Sequence, residues 1–164
     1  MLFPTSLLDR ASALLAAYRQ RGWKLATAES CTGGLIAAAL TAIAGSSDVV
    51  EAGFVTYSNE AKTLLVGVPA ALIGQFGAVS EPVARAMAEG VLDRLAAVDL
   101  AVSVTGIAGP TGATPGKPVG LVHFGLAMRG TATRHDRAVF TGSRAEIRAA
   151  AVGHALDLLL QACA

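Results

Sequence analysis

The sequence predicts an α/β fold, a three-layer α/β/α sandwich built on a mixed, mainly parallel sheet. Segments with helical apolar spacing alternate with short strand-like segments through most of the chain, which is the pattern of a parallel sheet covered by helices. Two strand-like segments near the end are separated only by a short turn, which favours an antiparallel hairpin. The 164 residues contain no repeat, linker or low-complexity stretch, so we expect a single domain over residues 1–164.

The first half of the chain begins with a predicted amphipathic helix. Its apolar residues recur at spacings of three and four, Thr5 or Ser6 offers a cap, and Gly22 marks its end. The following segments alternate between apolar runs of helical character and runs rich in β-branched and aromatic residues. They are, in order, a strand at 23–28, a helix at 35–44, a strand at 49–58 and short helices at 59–66 and 69–75.

The second half is predicted to begin with a longer helix that reaches residue 98. Ser80 and Pro82 mark its start, because serine caps helices and proline is tolerated in the first turn. The next predicted elements are a buried strand at 99–105, a glycine- and proline-rich loop at 106–118, strands at 120–128 and 133–140 joined at Arg129-Gly130, and a helix from about 143 to 160.

Charge and cysteine content exclude several classes of protein. The net charge is +1 and the charges are scattered, so no electrostatic footprint for nucleic acid is present. Cys31 and Cys163 have no metal-like spacing, and neither do the three histidines. This usage is typical of a reduced, cytoplasmic compartment rather than a disulfide scaffold. We therefore expect no metal, no cofactor and no nucleic-acid partner.

High hydrophobicity raises the question of a membrane span. The uncharged runs at 30–47 and 63–80 are interrupted by glycine, serine or proline, and neither holds about 20 continuous apolar residues. The first ten residues lack the basic region of a signal peptide. We expect a soluble cytoplasmic protein with no membrane partner.

The stretch AESCTGG (28–34) places two poor helix formers where a helix is expected to begin. One interpretation makes Ser30 a helix cap. However, Gly33 and Gly34 in a first helical turn would together cost about 2 kcal/mol relative to alanine. Since ligands of α/β proteins bind at the carboxyl ends of strands, where a helix start offers free N–H groups, the second interpretation places Ser30 in a ligand crevice.

Two other stretches are expected near the same crevice. In TYSNEAK (56–62), Tyr57 and Lys62 lie where a strand gives way to a helix, so both could reach this crevice. Taken alone, each residue is more often an ordinary one, a tyrosine that packs at the boundary and a lysine at the surface. The loop TGIAGPTGATPGKPVG (105–120) is not a phosphate loop of the Walker type, because Thr111 and Pro118 stand where glycine and serine or threonine are required. Its glycines either turn the chain or let a ligand touch backbone amides.

These stretches also resemble a known family. AESCTGGLIA, GFVTYSNEAK, GAVSEPVA, TGIAGPTG followed by KPVG, and FTGSRAEIR are similar to motifs of the CinA C-terminal-domain family, whose activity is nicotinamide-mononucleotide amidohydrolase. The resemblance implies hydrolysis of the mononucleotide's carboxamide to nicotinate mononucleotide and ammonia, without a metal. It implies that Ser30 is the nucleophile and that Tyr57, Lys62, Thr105 and Arg144 lie in or near the site.

The chain departs from the family pattern at two positions. Ala113 stands where relatives often have a second glycine, and Ser143 stands where an acidic residue is common. Longer relatives carry an additional N-terminal domain, so the resemblance implies a stand-alone form. We expect this form to be a homo-oligomer.

The residues and the resemblance together predict a mechanism. The three stretches contain no histidine, so Lys62, if desolvated and neutral, is the available base for Ser30, and Tyr57 relays or orients. Backbone N–H groups after Ser30 or at Gly106 would hold the oxyanion, and Arg144 with the glycine loop would hold the phosphate. The predicted substrate contacts are Cys31, Thr32, Gly33, Gly34, Thr105, Gly106, Gly109 and Arg144.

Two other functions are compatible with the same residues. One is a non-catalytic nucleotide-binding module associated with competence or the DNA damage response, in which Ser30 is only a helix cap. The other is a serine amidase that acts on a different small amide.

Overall fold

The computed structural model of the chain describes residues 2–164 and contains one five-stranded sheet with the strand order β2-β1-β3-β4-β5. β1 pairs in parallel with both β2 and β3, whereas β4 runs antiparallel to β3 and β5. Four of the five strands thus run in one direction, which confirms the predicted mixed sheet. The strands are β1 (Leu25–Glu29), β2 (Val50–Val55), β3 (Leu100–Gly106), β4 (Leu121–Met128) and β5 (Arg134–Val139).

Six α-helices within residues 2–164 cover the two faces of the sheet and confirm the three-layer sandwich. One apolar core lies between the sheet and helices α1, α2 and α6, and a second core lies between the sheet and helices α3, α4 and α5. The helices are α1 (Thr5–Arg21), α2 (Leu35–Thr41), α3 (Asn59–Val66), α4 (Ala70–Phe76), α5 (Glu81–Arg94) and α6 (Arg144–Gln161).

Side-chain size differs between the two faces of the central strands. Alternate residues of a strand point to opposite faces, so Leu100 and Val102 enter the first core while Ala101 enters the second. On the second face α5 approaches the sheet closely. A Cβ atom added to Gly125 would lie 2.3 Å from the Ala84 carbonyl oxygen, so only glycine fits there. Small residues on this face therefore allow α5 to pack directly on the sheet.

The main differences from the predicted boundaries have local causes. β2 ends at Val55 rather than at residue 58, because the Ser58 hydroxyl accepts a hydrogen bond from the Ala61 amide and so begins α3. α5 ends at Arg94 rather than at residue 98. There the Arg129 guanidinium donates to carbonyl oxygens of the segment that follows the helix, which substitutes for further helical turns.

Capping also differs from the prediction at two helix starts. Pro4 occupies the position before α1, where Thr5 or Ser6 was expected to cap. Ser80 does precede α5, but its hydroxyl donates to the Gly77 carbonyl instead of accepting from the helix. Ser143, in contrast, forms a reciprocal capping box with Glu146 at the start of α6.

The strand order places a crevice at one edge of the sheet. β1 lies between β2 and β3, and the helix after β1 packs on the opposite face from the helices after β2. The carboxyl end of β1 is therefore a topological switch point, where α/β proteins bind ligands. None of the helices within residues 2–164 is both long and apolar enough to cross a membrane.

Candidate functional site

A cleft of about 220 Å³ lies at this switch point. Its walls come from the turn after β1, the start of α3, the end of β3 and the first residue of α6. Segments that are far apart in the sequence therefore meet at the carboxyl edge of the sheet. The lining side chains and backbone include Ser30, Tyr57, Lys62, Thr105, Gly106 and Arg144.

Ser30 and Lys62 are in direct contact at the bottom of the cleft. The Lys62 Nζ atom lies 3.0 Å from the Ser30 Oγ atom. Ser30 follows β1 directly, and its amide continues the ladder by donating to the Val104 carbonyl. Lys62 lies one turn inside α3, and side chains of helices tilt toward the helix N-terminus, so its amine reaches back to the strand end.

The surroundings of Lys62 suit an uncharged amine. The side chain is 1% exposed, and its Nζ atom also contacts the carbonyl oxygens of Thr56 at 2.9 Å and Tyr57 at 3.3 Å. No carboxylate pairs with it among residues 2–164. Burial lowers the pKa of Lys62, which favours the neutral form. The Nζ atom also lies 3.5 Å from the Ser58 carbonyl oxygen. A neutral amine can direct its two N–H groups at the two nearer carbonyls, those of Thr56 and Tyr57, and its lone pair at the Ser30 hydroxyl.

Cys31 is adjacent to Ser30, but its thiol is unreactive. Its side chain is buried, and burial raises the pKa of its thiol to about 11. A thiol with this pKa is protonated at neutral pH and is a poor nucleophile. Cys31 lies in the turn before α2, which begins at Leu35. The arrangement at the end of β1 favours the hydroxyl of Ser30 over the thiol as the reacting group.

Tyr57 and Arg144 lie at the mouth of the cleft. Tyr57 is 60% exposed, and its hydroxyl accepts a hydrogen bond from the Arg144 Nη2 atom at 2.9 Å. The Arg144 Nη1 atom donates to the Gly109 carbonyl at 2.8 Å. A guanidinium group has five N–H donors, so others remain available for an anion at the mouth.

The glycine-rich loop contributes mainly backbone groups to the cleft. Gly106 lines the cleft, whereas Gly109 takes part through the carbonyl oxygen that Arg144 binds. Thr105 also lines the cleft, but its hydroxyl donates to the Ala78 carbonyl at 2.8 Å and so ties the loop before α5 to β3.

The two glycines after Ser30 have a conformational function. Gly33 and Gly34 have φ values of +59° and +94°, which side-chain-bearing residues rarely adopt. Helix α2 begins only at Leu35, with Gly34 at the capping position. The interpretation of Ser30 as a helix cap is therefore wrong. The glycines allow a tight turn after the strand instead of lying in the first turn of a helix.

Glu29 is a site-forming residue that sequence reasoning missed. It is fully buried at the end of β1, and its carboxylate accepts hydrogen bonds from the Thr32 hydroxyl at 2.6 Å and the Gly34 amide at 3.1 Å. The Ile36 and Ala37 amides donate to the same carboxylate. Thr32 and Gly34, expected as substrate contacts, thus bind Glu29. The feature of the sequence that could have indicated Glu29 is its position as a single charged residue directly after the uncharged segment LATA.

Arg148 was also missed, although it belongs to the FTGSRAEIR motif. It lies one turn after Arg144 on α6 and donates to the carbonyl oxygens of Cys31 and Thr32. The histidines are elsewhere: His123 and His135 hydrogen-bond to each other across β4 and β5. Among residues 2–164, no three histidine, cysteine or acidic side chains form a group that would hold a metal ion.

The family model and the curated relatives that match this chain indicate the same family. The CinA C-terminal domain family matches residues 8–163 of this chain. A CinA-like protein of Citrifermentans bemidjiense is 54% identical over 151 residues, which are 92% of this chain and 35% of that protein. A CinA-like protein of Gemmatimonas aurantiaca is 50% identical over 156 residues, or 95% of this chain and 36% of that protein. The chain spans about a third of the length of these curated relatives.

Solved structures share the whole fold. The competence/damage inducible protein CihA of Agrobacterium tumefaciens superposes with a TM-score of 0.94 at 47% identity, and the alignment covers 98% of both chains. A competence-damaged protein (CinA) superfamily protein of Escherichia coli superposes with a TM-score of 0.91 at 35% identity, covering 98% of this chain and 93% of that one.

Proposed function

This chain belongs to the CinA C-terminal domain family, and we propose that it hydrolyses the carboxamide of nicotinamide mononucleotide to nicotinate mononucleotide and ammonia. The observation that carries the proposal is the 3.0 Å contact between the Ser30 hydroxyl and the buried amine of Lys62. A serine hydroxyl is a weak nucleophile unless an adjacent base removes its proton. Lys62 fills that role because burial lowers its pKa.

The proposed reaction proceeds through an acyl-enzyme. The Ser30 oxygen attacks the carboxamide carbon while its proton passes to the Lys62 amine. The Lys62 ammonium then protonates the departing nitrogen, the C–N bond breaks and ammonia leaves. Water attacks the ester with Lys62 again as base, which frees the carboxylate product and restores the Ser30 hydroxyl. The carbonyl oxygens of Thr56 and Tyr57 hold the Lys62 amine in place throughout.

The oxyanion of the tetrahedral intermediate needs fixed N–H donors. The amide of the residue after a nucleophilic serine commonly serves this purpose, and here that residue is Cys31. The Cys31 amide donates to no main-chain carbonyl within residues 2–164, and both Cys31 and Gly106 line the cleft. We assign the oxyanion to these two amides.

The phosphate of the substrate fits the mouth of the cleft. At about 220 Å³ the cleft is smaller than the pockets of roughly 300–1,000 Å³ that enclose drug-sized ligands. The nicotinamide end therefore enters and the phosphate remains outside, beside Arg144. The exposed guanidinium of Arg144 offers the donors that bind a phosphate in a bidentate manner.

Ammonia release from three amides tests this function. The purified chain, with a chelator present, is incubated with nicotinamide mononucleotide, nicotinamide riboside or nicotinamide, and Ser30→Ala is the control. We expect the mononucleotide to react fastest and the variant to be inactive. Equal rates on the mononucleotide and the riboside would remove the phosphate role of Arg144. Release from none of the three would contradict the proposal and favour a nucleotide-binding module.

A further inference from the structure

The turn between β1 and α2 is held by polar side chains on two sides. On one side, the fully buried carboxylate of Glu29 accepts from the backbone amides of Gly34, Ile36 and Ala37. It also accepts from the Thr32 hydroxyl at 2.6 Å. The carboxylate thus binds N–H groups that an isolated helix start would leave unpaired. These N–H groups are not free for a substrate.

On the other side, Arg148 reaches across from α6. Its Nε atom donates to the Cys31 carbonyl at 3.1 Å, and its Nη2 atom donates to the Thr32 carbonyl at 3.2 Å. The Arg148 guanidinium also lies against Gly33, because a Cβ atom added there would be in ordinary van der Waals contact with the Nη2 atom at 3.4 Å. Glu29 therefore binds donors of the turn and Arg148 binds its acceptors.

These bonds determine the orientation of both peptide groups that flank Cys31. In a trans peptide the carbonyl and the following N–H point in opposite directions. The Gly33 amide binds the Ser30 carbonyl at 3.0 Å, which fixes the direction of the Cys31 N–H. Arg148 binds the Cys31 carbonyl and so fixes the next peptide group. With both groups fixed, the backbone that carries the Ser30 hydroxyl cannot rotate independently.

We propose that Glu29 and Arg148 are positioning residues of the hydrolysis described above. They hold the turn after β1 in the arrangement in which the Ser30 hydroxyl meets Lys62 and the Cys31 N–H faces the reacting carbonyl. Neither residue lines the cleft, so both act through the turn and neither touches the substrate. This inference rests on the proposed function, because that function defines the oxyanion that the Cys31 amide binds.

A second arginine in the chain provides a matched control. Arg94 also donates from its Nε and Nη2 atoms to two consecutive carbonyl groups, those of Leu65 at 3.0 Å and Leu64 at 3.2 Å. These carbonyls lie near the end of α3, away from the turn after β1. Arg94→Met and Arg148→Met therefore each remove a guanidinium that donates to two consecutive carbonyl groups, exposed for Arg94 and partly buried for Arg148, and only Arg148→Met affects the Ser30 turn.

The decisive measurement is the kinetics of both variants on nicotinamide mononucleotide, together with their melting temperatures. We expect Arg148→Met to lower kcat by at least about 10-fold with KM changed by less than about 3-fold, since loss of an oriented oxyanion donor acts on the transition state. Arg94→Met should retain kcat within about 2-fold at a similar melting temperature. Equal kcat values in the two variants would overturn the proposal.

Glu29→Gln extends the test to the other side of the turn. In either orientation the NH2 group of the glutamine would face a backbone amide, that of Ala37 or those of Gly34 and Ile36, so we expect the same decrease in kcat with little change in KM. If this variant does not fold, Arg148→Met alone decides the question. A folded Glu29→Gln protein with unchanged kcat would remove Glu29 from the proposal.

A serine-directed fluorophosphonate separates this inference from the proposed function. The Ser30 oxygen would bond to phosphorus as fluoride leaves and Lys62 takes the proton, and mass spectrometry measures the labelling rate. If the unaltered protein is labelled but hydrolyses no amide, the proposed substrate is wrong. In that case, labelling of Arg148→Met that is at least about 10-fold slower than labelling of Arg94→Met still supports the role of Arg148 in positioning Ser30. Equal labelling rates, or no labelling of Ser30 at all, would overturn it.

Discussion

Replacement of Lys62 by methionine tests the chemistry of the site most directly. Methionine retains the apolar stem in a position that is 1% exposed, and it removes only the amine that contacts Ser30. We expect kcat to fall by at least about 100-fold while substrate affinity changes little, since general bases contribute roughly 10²–10⁴-fold to the rate. A 100-fold loss corresponds to about 2.7 kcal/mol in the activation free energy.

The fold should survive this change. The substitution leaves the Thr56 and Tyr57 carbonyl oxygens without the Lys62 donor, and an unpaired buried polar group costs about 1–3 kcal/mol. The same substitution removes a buried amine, whose burial is itself unfavourable. Because the two effects have opposite signs, we expect the free energy of unfolding to change by less than about 2 kcal/mol. Chemical denaturation of both proteins measures this change.

The pH dependence of the reaction gives a second readout. Burial lowers the pKa of Lys62 below its usual value of 10.5. Protonated Lys62 cannot accept the Ser30 proton, so kcat/KM should rise with pH and level off once Lys62 is deprotonated, with a midpoint below 10.5. In Lys62→Met this rising limb should be absent. Ammonia release measured between acidic and alkaline pH resolves the limb.

The control for Lys62→Met is Lys24→Met. Lys24 donates to the Asp48 carbonyl at 2.9 Å in an exposed contact, so its loss should leave kcat unchanged. Lys62→Ala provides a further test, because a small added amine should restore part of the activity. A Lys62→Met protein with kcat within about 10-fold of the unaltered protein and the same pH limb would refute the assignment of Lys62 as base.

Three further predictions concern the neighbouring residues. Ser30→Ala should abolish turnover, and Cys31→Ala should retain most of it because the Cys31 thiol has a pKa of about 11. A steady-state assay of both folded variants measures this, and the opposite result would reverse the assignment of the nucleophile. Arg144→Gln should raise KM for the mononucleotide by about 10-fold or more with little effect on the riboside, and equal shifts in the two KM values would contradict the phosphate role. Burial and the neighbouring His135 lower the pKa of His123 to about 4, so protonation favours the unfolded chain as pH falls from about 6.5 to about 4. Denaturation across this range should show a loss of up to about 3 kcal/mol that is smaller in His123→Gln, where His135, whose pKa is also lowered by burial, still contributes.

Local sequence patterns were sufficient to predict the fold. The apolar spacing before Gly22 predicted α1, and the short, mostly apolar segments at 23–28 and 99–105 predicted two strands that are neighbours in the sheet. The boundaries were less accurate where another part of the chain completes the hydrogen bonding. The end of α5 is an example, because Arg129 from the β4–β5 turn binds the carbonyl groups that follow Arg94.

The sequence also indicated which three stretches would meet at the cleft, because each follows or ends a predicted strand. It misassigned the role of individual residues within the stretches. Gly33 and Gly34 were predicted to contact the substrate, whereas their positive φ values allow the turn that precedes α2. Glu29 was overlooked because nothing local distinguishes a carboxylate that will be buried beneath a helix start from an ordinary surface charge.

The sequence by itself thus determined the kind and order of the helices and strands, because side-chain periodicity and turn residues act over a few neighbouring positions. Only the tertiary structure decided which side chains touch. The Ser30–Lys62 contact spans 32 residues of sequence and the Arg148–Cys31 contact spans 117. Both depend on the position of β1 between β2 and β3, since this order directs the turn, α3 and α6 to one edge of the sheet. The hydrogen bonds of these residues and the burial that lowers the pKa of Lys62 arise from this tertiary arrangement, and the local sequence does not predict them.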